Sequence, residues 1–506
     1  MPDLPPTEQL LVEGGDARIA LDPNSALNKY GCQPLPDPGL VALGSSTASV
    51  VSAAGFAAAG RLRDKLVLAA EPDAILYARE LERVRRELLD LCGISDLAGI
   101  AAVFAASGTD VHLIAAQLAG AGSASPALAV IAEAGETGSG VPAALAGRHF
   151  SAHAALGGEV DAGTPIAGGA ALEVATVTVR LPDGTPRPAA DVDAEVEALV
   201  TAAAAGRRVL LTLVDVSKSG LIAPSPACVA ALQGRFPGAV EVLVDACQFR
   251  IAPATLRAYL QHGFMVALTG SKFVAGPSFS GVLLMPPQVA ARLHGRALPP
   301  ALRAYSSRAE WPRDWAAAAL PDDVANFGLL LRWEAALEEL RAFHALPQAQ
   351  AARFLQAFAE AVQRRLGSDP LFEPLPVPPI DRRPLIEATS WDHVQTIFPF
   401  LLYHPATGAG KAPLSRAETA QVYRLLQADL DIPGAGMRFQ LGQPVACGSR
   451  DGVPVSALRL CASARLVVEA LAGDGRNAAA VIAKALAALD KAALLLRSGK
   501  MSDPTG

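Results

Sequence analysis

Residues 240–286 read VEVLVDACQFRIAPATLRAYLQHGFMVALTGSKFVAGPSFSGVLLMP and decide the fold class. The stretch holds three short runs rich in Val, Leu and Met, and the first two are separated by a helical pattern, ATLRAYLQHG. Such continuous apolar runs indicate strands buried on both faces, and a helix between two strands implies a right-handed crossover and a parallel pair. The same alternation extends back through RRVLLTLVDVS, PALAVIAEAG and AAVFAASGTD. We therefore predict a three-layer α/β domain with a mainly parallel sheet over residues 46–300.

Three further regions complete the predicted organisation. Residues 1–45 are rich in proline and irregular, which indicates an N-terminal arm. Residues 301–345 comprise a linker loop and a long connecting helix, VANFGLLLRWEAALEELRAF. Residues 346–506 mix helical patterns with a few strands, which predicts a smaller C-terminal α+β domain.

Composition argues against several classes of partner. The net charge is −6 over 506 residues with no basic cluster, so we expect no contact with nucleic acid or anionic lipid. The longest apolar stretches are too short or too interrupted to span a membrane, and MPDLPPTEQL lacks the pattern of a secretory signal. Six cysteines without a CxxC pair argue against a zinc site or a disulfide scaffold. We expect a cytoplasmic protein without a metal site.

Polar residues follow several predicted strands, at the edge of the sheet where parallel α/β proteins bind ligands. Ser107, Gly108 and Thr109 form a small-residue turn before a helix. Their backbone N–H groups and hydroxyls are suited to hold an anion. The same residues would also serve as an ordinary helix cap.

Two ionisable residues close neighbouring strands. Asp245 ends EVLVDA, and Lys272 ends the next strand with Thr269 and Ser271 beside it. Each has an ordinary alternative, since an aspartate often caps a helix and a lysine at a strand end often faces solvent. Arg459, in the later strand SALRLCAS, suits bidentate binding of a carboxylate, although it would also fit the surface of an edge strand.

Together these residues supply an anion-binding turn, a carboxylate, a lysine and an arginine. Pyridoxal 5′-phosphate chemistry needs this set, because the lysine forms a Schiff base with the aldehyde and the carboxylate keeps the ring nitrogen protonated. The helix N-terminus would hold the phosphate. We therefore predict a pyridoxal-phosphate site at this edge of the sheet.

The chain also resembles the class V aminotransferase and cysteine desulfurase family, whose members are pyridoxal-phosphate enzymes of fold type I. Residues 240–286 are similar to the core of that family, with its D-x-x-Q, a strand, S-x-H-K and G-P-x-G-x-G. Four other segments of this chain resemble family segments in the same order. They are GSSTASVVSAAGFAAAGRLRDKL, AASGTD, VDVSKSGLIAP and ALRLCASARLVVEAL. The resemblance implies a large cofactor-binding domain, a smaller C-terminal domain and a homodimer.

The resemblance implies a role for each site residue. Lys272 would carry the cofactor as an aldimine and move the proton at the substrate α-carbon, Asp245 would pair with the pyridinium nitrogen, and Gln248 would contact the phenolic oxygen. Arg459 would bind the substrate α-carboxylate. The residues that would hold the phosphate are Ser107, Gly108, Thr109, Thr269 and Ser271. The loop from Ser278 to Gly281 would complete the phosphate site of a partner subunit.

The sequence departs from the family in three places. Ser271 stands where the family has a histidine, and Ser217 stands about where it often has an asparagine near the cofactor. The ring-stacking histidine of the family is also missing, so we expect Thr137 or Glu136 to face the ring. The two histidines of GRHFSAHAALGG lie in a later loop, where a surface position is the ordinary case.

We therefore predict an enzyme that uses pyridoxal phosphate on an amino acid, as a transaminase or a lyase. One alternative is a cysteine desulfurase. In that case Cys447, carried by a mobile segment, LGQPVACGSRDG, would accept sulfur from the substrate. Another is a scaffold or regulatory protein that keeps the fold without catalysis. A scaffold would need neither Lys272, Asp245 nor Arg459.

Overall fold

In the computed structural model, which describes residues 4–121, 125–315, 320–321, 324–405, 411–473 and 475–498, the strands form two separate sheets. The predicted mainly parallel α/β sheet and the smaller α+β part are both present. In chain order the strands are β1 (Leu40–Leu43), β2 (Ala101–Ala105), β3 (Leu128–Ala132), β4 (Glu173–Val177), β5 (Val209–Asp215), β6 (Ile222–Ala223), β7 (Val240–Asp245), β8 (Met265–Thr269), β9 (Gly281–Met285), β10 (Phe372–Pro374), β11 (Ile397–Leu402), β12 (Arg438–Arg450) and β13 (Val453–Cys461).

The larger sheet has the strand order β2-β9-β8-β7-β5-β3-β4. β9 is antiparallel to β2 and β8, the other pairs on this path are parallel, and the short β6 pairs with β5. β2, β3, β5, β8 and β9 are buried along their whole length, as their continuous apolar runs predict. The same criterion misses β4, because most residues of this edge strand are partly or fully exposed.

Helices cover both faces of the larger sheet and pack on the smaller one. In chain order they are α1 (Thr7–Leu10), α2 (Ala53–Val67), α3 (Asp73–Leu91), α4 (Gly108–Gly120), α5 (Val141–Leu145), α6 (Ala189–Ala204), α7 (Pro226–Arg235), α8 (Pro253–Gln261), α9 (Pro287–His294), α10 (Phe327–His344), α11 (Gln348–Gly367), α12 (Arg416–Gln427), α13 (Ala464–Leu471) and α14 (Ala478–Ser498). Within the described ranges, none of these helices is both long and apolar enough to cross a bilayer.

Alternate residues of each buried strand enter two different apolar cores. In β2, Ala102 and Phe104 pack in a core with α2, α3, α6, α7, α8 and α10. Ala101 and Val103, on the opposite face, pack in a core with α4, α5 and α9. Because side chains alternate along a strand, the sheet is the middle of three layers.

The smaller sheet has the strand order β1-β12-β13-β11-β10, and α11 to α14 pack against it in a third core. β1 pairs in parallel with the start of β12, with Leu40 opposite Arg438 and Leu43 opposite Leu441. The segment before residue 45 is therefore not wholly irregular as predicted. Its apolar run, LVAL, has only four residues, and a partner strand from the far end of the chain completes it.

A buried ion pair joins the end of β5 to the segment before β11. The Arg382 guanidinium donates from Nε to Asp215 Oδ2 (2.8 Å) and from Nη2 to Asp215 Oδ1 (2.9 Å), and both side chains are fully buried. Tyr259 Oη also donates to Asp215, and Arg382 Nη1 donates to the Asp392 carbonyl. A buried pair is tolerated when its remaining donors and acceptors are satisfied in this way.

Replacing Arg382 with leucine should destabilise the fold strongly. The variant leaves the Asp215 carboxylate buried without its cation, which costs about 3–5 kcal/mol of unfolding free energy. Urea denaturation followed by circular dichroism measures the change. Arg383→Leu is the matched control, because this neighbouring side chain is 75% exposed and pairs with Asp381 on the surface. Equal denaturation midpoints for the two variants would contradict the assigned role of the Asp215–Arg382 pair.

Candidate active site

One cavity lies at the carboxyl ends of β5, β7 and β8, against the start of α4. All ten residues predicted to contact the cofactor line it. They are Ser107, Gly108, Thr109, Thr137, Ser217, Asp245, Gln248, Thr269, Ser271 and Lys272. The order of strands in the sheet explains this convergence, since β5, β7 and β8 are parallel neighbours whose ends meet at one edge.

The turn before α4 is a helix cap whose free groups also border the cavity. Ser107 Oγ accepts hydrogen bonds from the backbone N–H groups of Thr109 (3.2 Å) and Asp110 (3.3 Å), so the capping role is realised. A Cβ atom at Gly108 would lie only 2.9 Å from Cys247 Sγ, which explains the glycine. Close packing there brings the positive end of α4 to the cavity.

Asp245 is held by a histidine that the sequence analysis did not single out. His112 Nδ1 donates to the Gly108 carbonyl (2.7 Å), and His112 Nε2 lies 3.4 Å from Asp245 Oδ2. Burial opposes charge on both groups, but their mutual attraction outweighs it. The pKa of Asp245 is therefore lowered and the pKa of His112 is raised. The site thus contains a carboxylate that stays ionised although it is buried.

The amine of Lys272 is the least constrained basic group of the predicted site. Among the described residues, its Nζ makes neither a hydrogen bond nor an ion pair, and the side chain is half-buried. Thr269 Oγ1 beside it donates to the Cys247 carbonyl (2.6 Å), and Ser271 is buried. The amine is therefore available to react with a ligand in the cavity.

Gln248 and Ser217 are fixed by neighbours. Ser45 Oγ donates to Gln248 Oε1 (2.6 Å), which ties the N-terminal segment to the loop after β7. Ser217 Oγ donates to the Glu136 carboxylate (2.6 Å), and Arg180 forms an ion pair with that carboxylate. Because Glu136 is committed to these partners, Thr137 is the freer of the two residues expected to face the ring.

The loops beside the cavity contain backbone in the left-handed region, which non-glycine residues rarely adopt. The residues are Val216 (φ 61°), Phe249 (φ 55°), Ala275 (φ 67°) and Phe279 (φ 70°). Such a conformation costs about 1–3 kcal/mol and persists only where the surrounding structure fixes it. The segments around Ser217 and Lys272 are therefore held in a defined shape.

Arg459 lies behind the cavity wall. It is 2% exposed and donates from Nη1 to the Lys218 carbonyl (3.0 Å) and from Nη2 to the Gln443 carbonyl (2.8 Å), and these two residues line the cavity. Lys218 Nζ donates to the Ala134 carbonyl (3.1 Å). Burial, and the nearby charges of Arg459 and Lys272, lower the pKa of Lys218 to about 8. Two cations therefore lie on this side of the cavity.

One expectation about a loop is wrong, and a second loop has partners within its own chain. Cys447 is not in a mobile segment but within β12, where it is 5% exposed, and burial raises the pKa of its thiol to about 11. Ser449 and Arg450 pair with Pro454 and Val453 of β13, so the hairpin holds the segment that follows the cysteine. The loop from Ser278 to Gly281, predicted to face a partner subunit, is buried in its own chain, and Ser278 Oγ donates to the Thr47 carbonyl.

The histidines of the later loop lie away from the cavity. His149 is hydrogen-bonded to Tyr305 Oη (2.6 Å) and stacks on its ring. The backbone of His153 pairs with that of Glu159 in an isolated antiparallel β-bridge. Neither lines the cavity, and the residues described contain no group of three or more metal-binding side chains.

Three basic residues of the cavity were missed from sequence. His112 follows Gly108 by four positions, a spacing that places both on one face of a helix, but it stands in an apolar pattern typical of a core. Lys218 directly follows Ser217, yet nothing in VDVSKSG separates it from a surface lysine. Arg18 carries no local signal, since its partner Ser107 is 89 residues away.

Solved structures share this fold. An alanine–glyoxylate aminotransferase from Nostoc sp. matches with a TM-score of 0.54 at 14% identity, over 94% of this chain and 100% of its own. A cysteine desulfurase from Escherichia coli matches with a TM-score of 0.52 at 16% identity, over 90% and 95% of the two chains. The ureidoglycine–glyoxylate aminotransferase of Bacillus subtilis matches with a TM-score of 0.52 at 11% identity, over 93% and 96%. No family model and no curated protein matches the chain.

These likenesses confirm the predicted fold. The chain has the architecture of the aminotransferases and cysteine desulfurases that its motifs resemble, with fold type I and a smaller C-terminal part. At this level of identity the likeness concerns the fold, and the chemistry has to be argued from the residues of the cavity.

Replacing His112 with leucine should destabilise the protein by about 3–5 kcal/mol, because Asp245 would stay buried without its ion-pair partner. His294→Leu is the matched control, since His294 pairs with Asp314 on the exposed surface. Chemical denaturation of the three proteins measures the effect. A loss for His112→Leu no larger than for His294→Leu would contradict this role.

The difference between wild type and His112→Leu should depend on pH. The pKa of His112 is raised on folding, so its charge contributes fully below the unfolded pKa of about 6.5 and less as the pH rises through the folded pKa. The lowered pKa of Asp245 contributes above the unfolded value of about 3.9. We expect the largest stability difference near pH 6 and a smaller one at pH 9. A difference that grows towards pH 9 would show that the charge on His112 does not stabilise the fold.

Proposed function

We propose that this chain is a pyridoxal-phosphate-dependent enzyme that acts on amino acids, as a transaminase or a lyase. The observation that carries this is the convergence of a free amine, an ion-paired carboxylate and a donor-rich turn on one cavity. Lys272, Asp245 and Ser107 provide these three groups. The fold shared with aminotransferases supports the same class of reaction.

The residues fit the cofactor. When bound, pyridoxal phosphate supplies an electron sink for negative charge at the substrate α-carbon. Lys272 would hold it covalently, and Asp245, kept ionised by His112, would keep the ring nitrogen protonated. The phosphate would lie at the start of α4, where the positive end of the helix and the side chains of Ser107 and Thr109 border the cavity. Thr269 and Ser271 border the same space.

The cations on the opposite side favour an anionic substrate. Among the described residues, neither Lys218 nor Arg459 has a carboxylate partner. With a pKa of about 8, Lys218 is mostly protonated at neutral pH. We assign the substrate carboxylate to Lys218, which lines the cavity, and propose that the Arg459 charge attracts it from behind the Lys218 and Gln443 backbone.

Lys272 is the base we assign to the α-proton. Its amine is free of ion pairs, and the loop that carries it is held in a defined shape next to the cavity. Once released from the cofactor, it would remove the proton from the α-carbon or return one nearby. Transamination and elimination share these roles and differ in the bond that breaks afterwards.

We further propose that the enzyme works as a homodimer in the cytoplasm. Among the described residues the six cysteines are all free, which suits a reducing compartment. The resemblance of the chain to class V aminotransferases supports the dimer. Sedimentation at micromolar concentration tests it, and a monomer that binds the cofactor would contradict it.

Lys272→Ala should abolish covalent attachment of the cofactor. Wild-type protein mixed with pyridoxal phosphate should gain a visible absorbance band and, after borohydride reduction, a mass increase on the peptide that contains Lys272. The variant should show neither, because Lys218, the other lysine that lines the cavity, is engaged with the Ala134 carbonyl. Lys484→Ala, which alters an exposed lysine paired with Glu469, is the control and should behave like wild type. Wild-type protein without the band would refute the proposed function.

Amino acids should change the absorbance of the loaded protein. A panel of amino acids separates an enzyme from a scaffold, since a scaffold has no need to bind or convert a substrate. We expect at least one amino acid to shift the band and yield a keto acid or an elimination product, detected by mass spectrometry. If no amino acid of the panel changes the absorbance of the cofactor-loaded protein, the scaffold hypothesis is favoured.

Cys447→Ser should leave the reaction intact. The thiol is buried in β12, does not line the cavity and has a raised pKa of about 11, so it is protonated at neutral pH. These facts disfavour a desulfurase in which Cys447 accepts sulfur. Sulfide release from cysteine, measured before and after the substitution, tests this. A loss of sulfide release with unchanged cofactor binding would restore the desulfurase hypothesis.

A further inference from the structure

The N-terminal segment brings an arginine to the turn before α4. Arg18 Nη2 lies 3.2 Å from Ser107 Oγ, and Arg18 Nη1 lies 3.2 Å from Thr109 Oγ1. Both hydroxyls were predicted to hold a phosphate, and Arg18 lines the same cavity. The guanidinium therefore points its outer N–H groups at the place where an anion would bind.

Two sets of contacts hold Arg18 in this orientation. Asp16, which is 2% exposed, accepts hydrogen bonds from Arg18 Nε (2.9 Å to Oδ1) and from the Arg18 backbone N–H (2.9 Å). The guanidinium also lies over the rings of Phe279 (4.9 Å) and Phe150 (5.5 Å). Asp16 Oδ2 also accepts from Nη2 (2.5 Å), so the second Nη2 N–H and the Nη1 N–H groups are the ones directed to the turn.

The phosphate end of the cavity otherwise has only neutral donors. Ser271 replaces the histidine of the related family, Thr109 offers a hydroxyl, and the Ser107 hydroxyl donates to the buried Asp110 carboxyl. His112 is engaged with Asp245 and the Gly108 carbonyl. A phosphate group carries nearly two negative charges, so a fixed cation at this end would contribute substantially to binding.

We infer that Arg18 binds the phosphate group of the cofactor, so that the N-terminal segment completes the phosphate site. This inference rests on the proposed function. The hydrogen bonds from Arg18 to Ser107 and Thr109 would be exchanged for bonds to phosphate oxygens, while Asp16 keeps the guanidinium in place. Arg18 is the residue that adapts the site to the absence of a histidine at position 271.

Cofactor binding to Arg18→Gln tests the inference. The dissociation constants of pyridoxal phosphate and of pyridoxal, which lacks the phosphate, are measured by absorbance titration. We expect Arg18→Gln to weaken pyridoxal phosphate about 10-fold to 100-fold, the range of a hydrogen bond to a charged group. Pyridoxal should bind about as in wild type, which also shows that the variant is folded. Arg18→Lys, which keeps the charge, should lose less.

Arg63→Gln is the matched control for attachment of the segment. Arg63 donates to the carbonyls of Leu4 (2.8 Å) and Pro5 (2.6 Å), away from the cavity. If Arg63→Gln weakens pyridoxal phosphate as much as Arg18→Gln does, or if Arg18→Gln weakens pyridoxal equally, Arg18 only anchors the segment and the inference is overturned. The ³¹P resonance of the bound cofactor gives a second readout, and we expect it to move in Arg18→Gln.

The two proposals fail in different ways. Wild-type protein that does not bind pyridoxal phosphate would overturn the proposed function and this inference with it. Wild-type protein that binds the cofactor, together with an unchanged dissociation constant for Arg18→Gln, would overturn the inference alone.

Discussion

A buried negative charge at the carboxyl end of β7 is the constraint on which the site depends. Asp245 stays ionised in apolar surroundings only if a cation and hydrogen-bond donors reach it. Helix α4 meets this need because it begins soon after β2 and carries His112 one turn from its start. Gly108 leaves room for Cys247, so the helix can approach closely enough. The packing of one helix on the sheet therefore also sets the charge of the site.

Sequence patterns were sufficient for the sheet and for much of the cavity, for physical reasons. The strands are buried on both faces, so their sequences are continuous apolar runs. Polar residues directly after them lie at one edge of the sheet. Strands β1 and β4 were missed, since one is very short and the other is a partly exposed edge. Arg18 was missed because its contacts to Ser107 and Thr109 join distant parts of the chain, and no local pattern records such a contact.

Two segments that were interpreted as loops from sequence are held by contacts within the same chain. Cys447 stands before a run of glycine and polar residues that suggests mobility, but β13 pairs with this run and turns it into a hairpin. The loop from Ser278 to Gly281 is rich in small residues that suit a close approach, and the approach is made by Thr47 and Arg18 of the same chain. In both cases the residue types were recognised from sequence, but the sequence did not show which part of the chain contacts them.

The pairing of β1 with β12 has a consequence for how the protein is made. Leu40 and Arg438 lie opposite each other in neighbouring strands although they are far apart in the chain. From the same N-terminal segment, Arg18 lines the cavity and Ser45 is hydrogen-bonded to the cavity residue Gln248. Synthesis proceeds from the N-terminus, so this segment leaves the ribosome long before its strand partner exists. Contacts of such long range form slowly. Strand β1 is therefore among the last elements to reach its native place, and the cavity, which Gln443 of β12 also lines, is completed only after this late strand has been made.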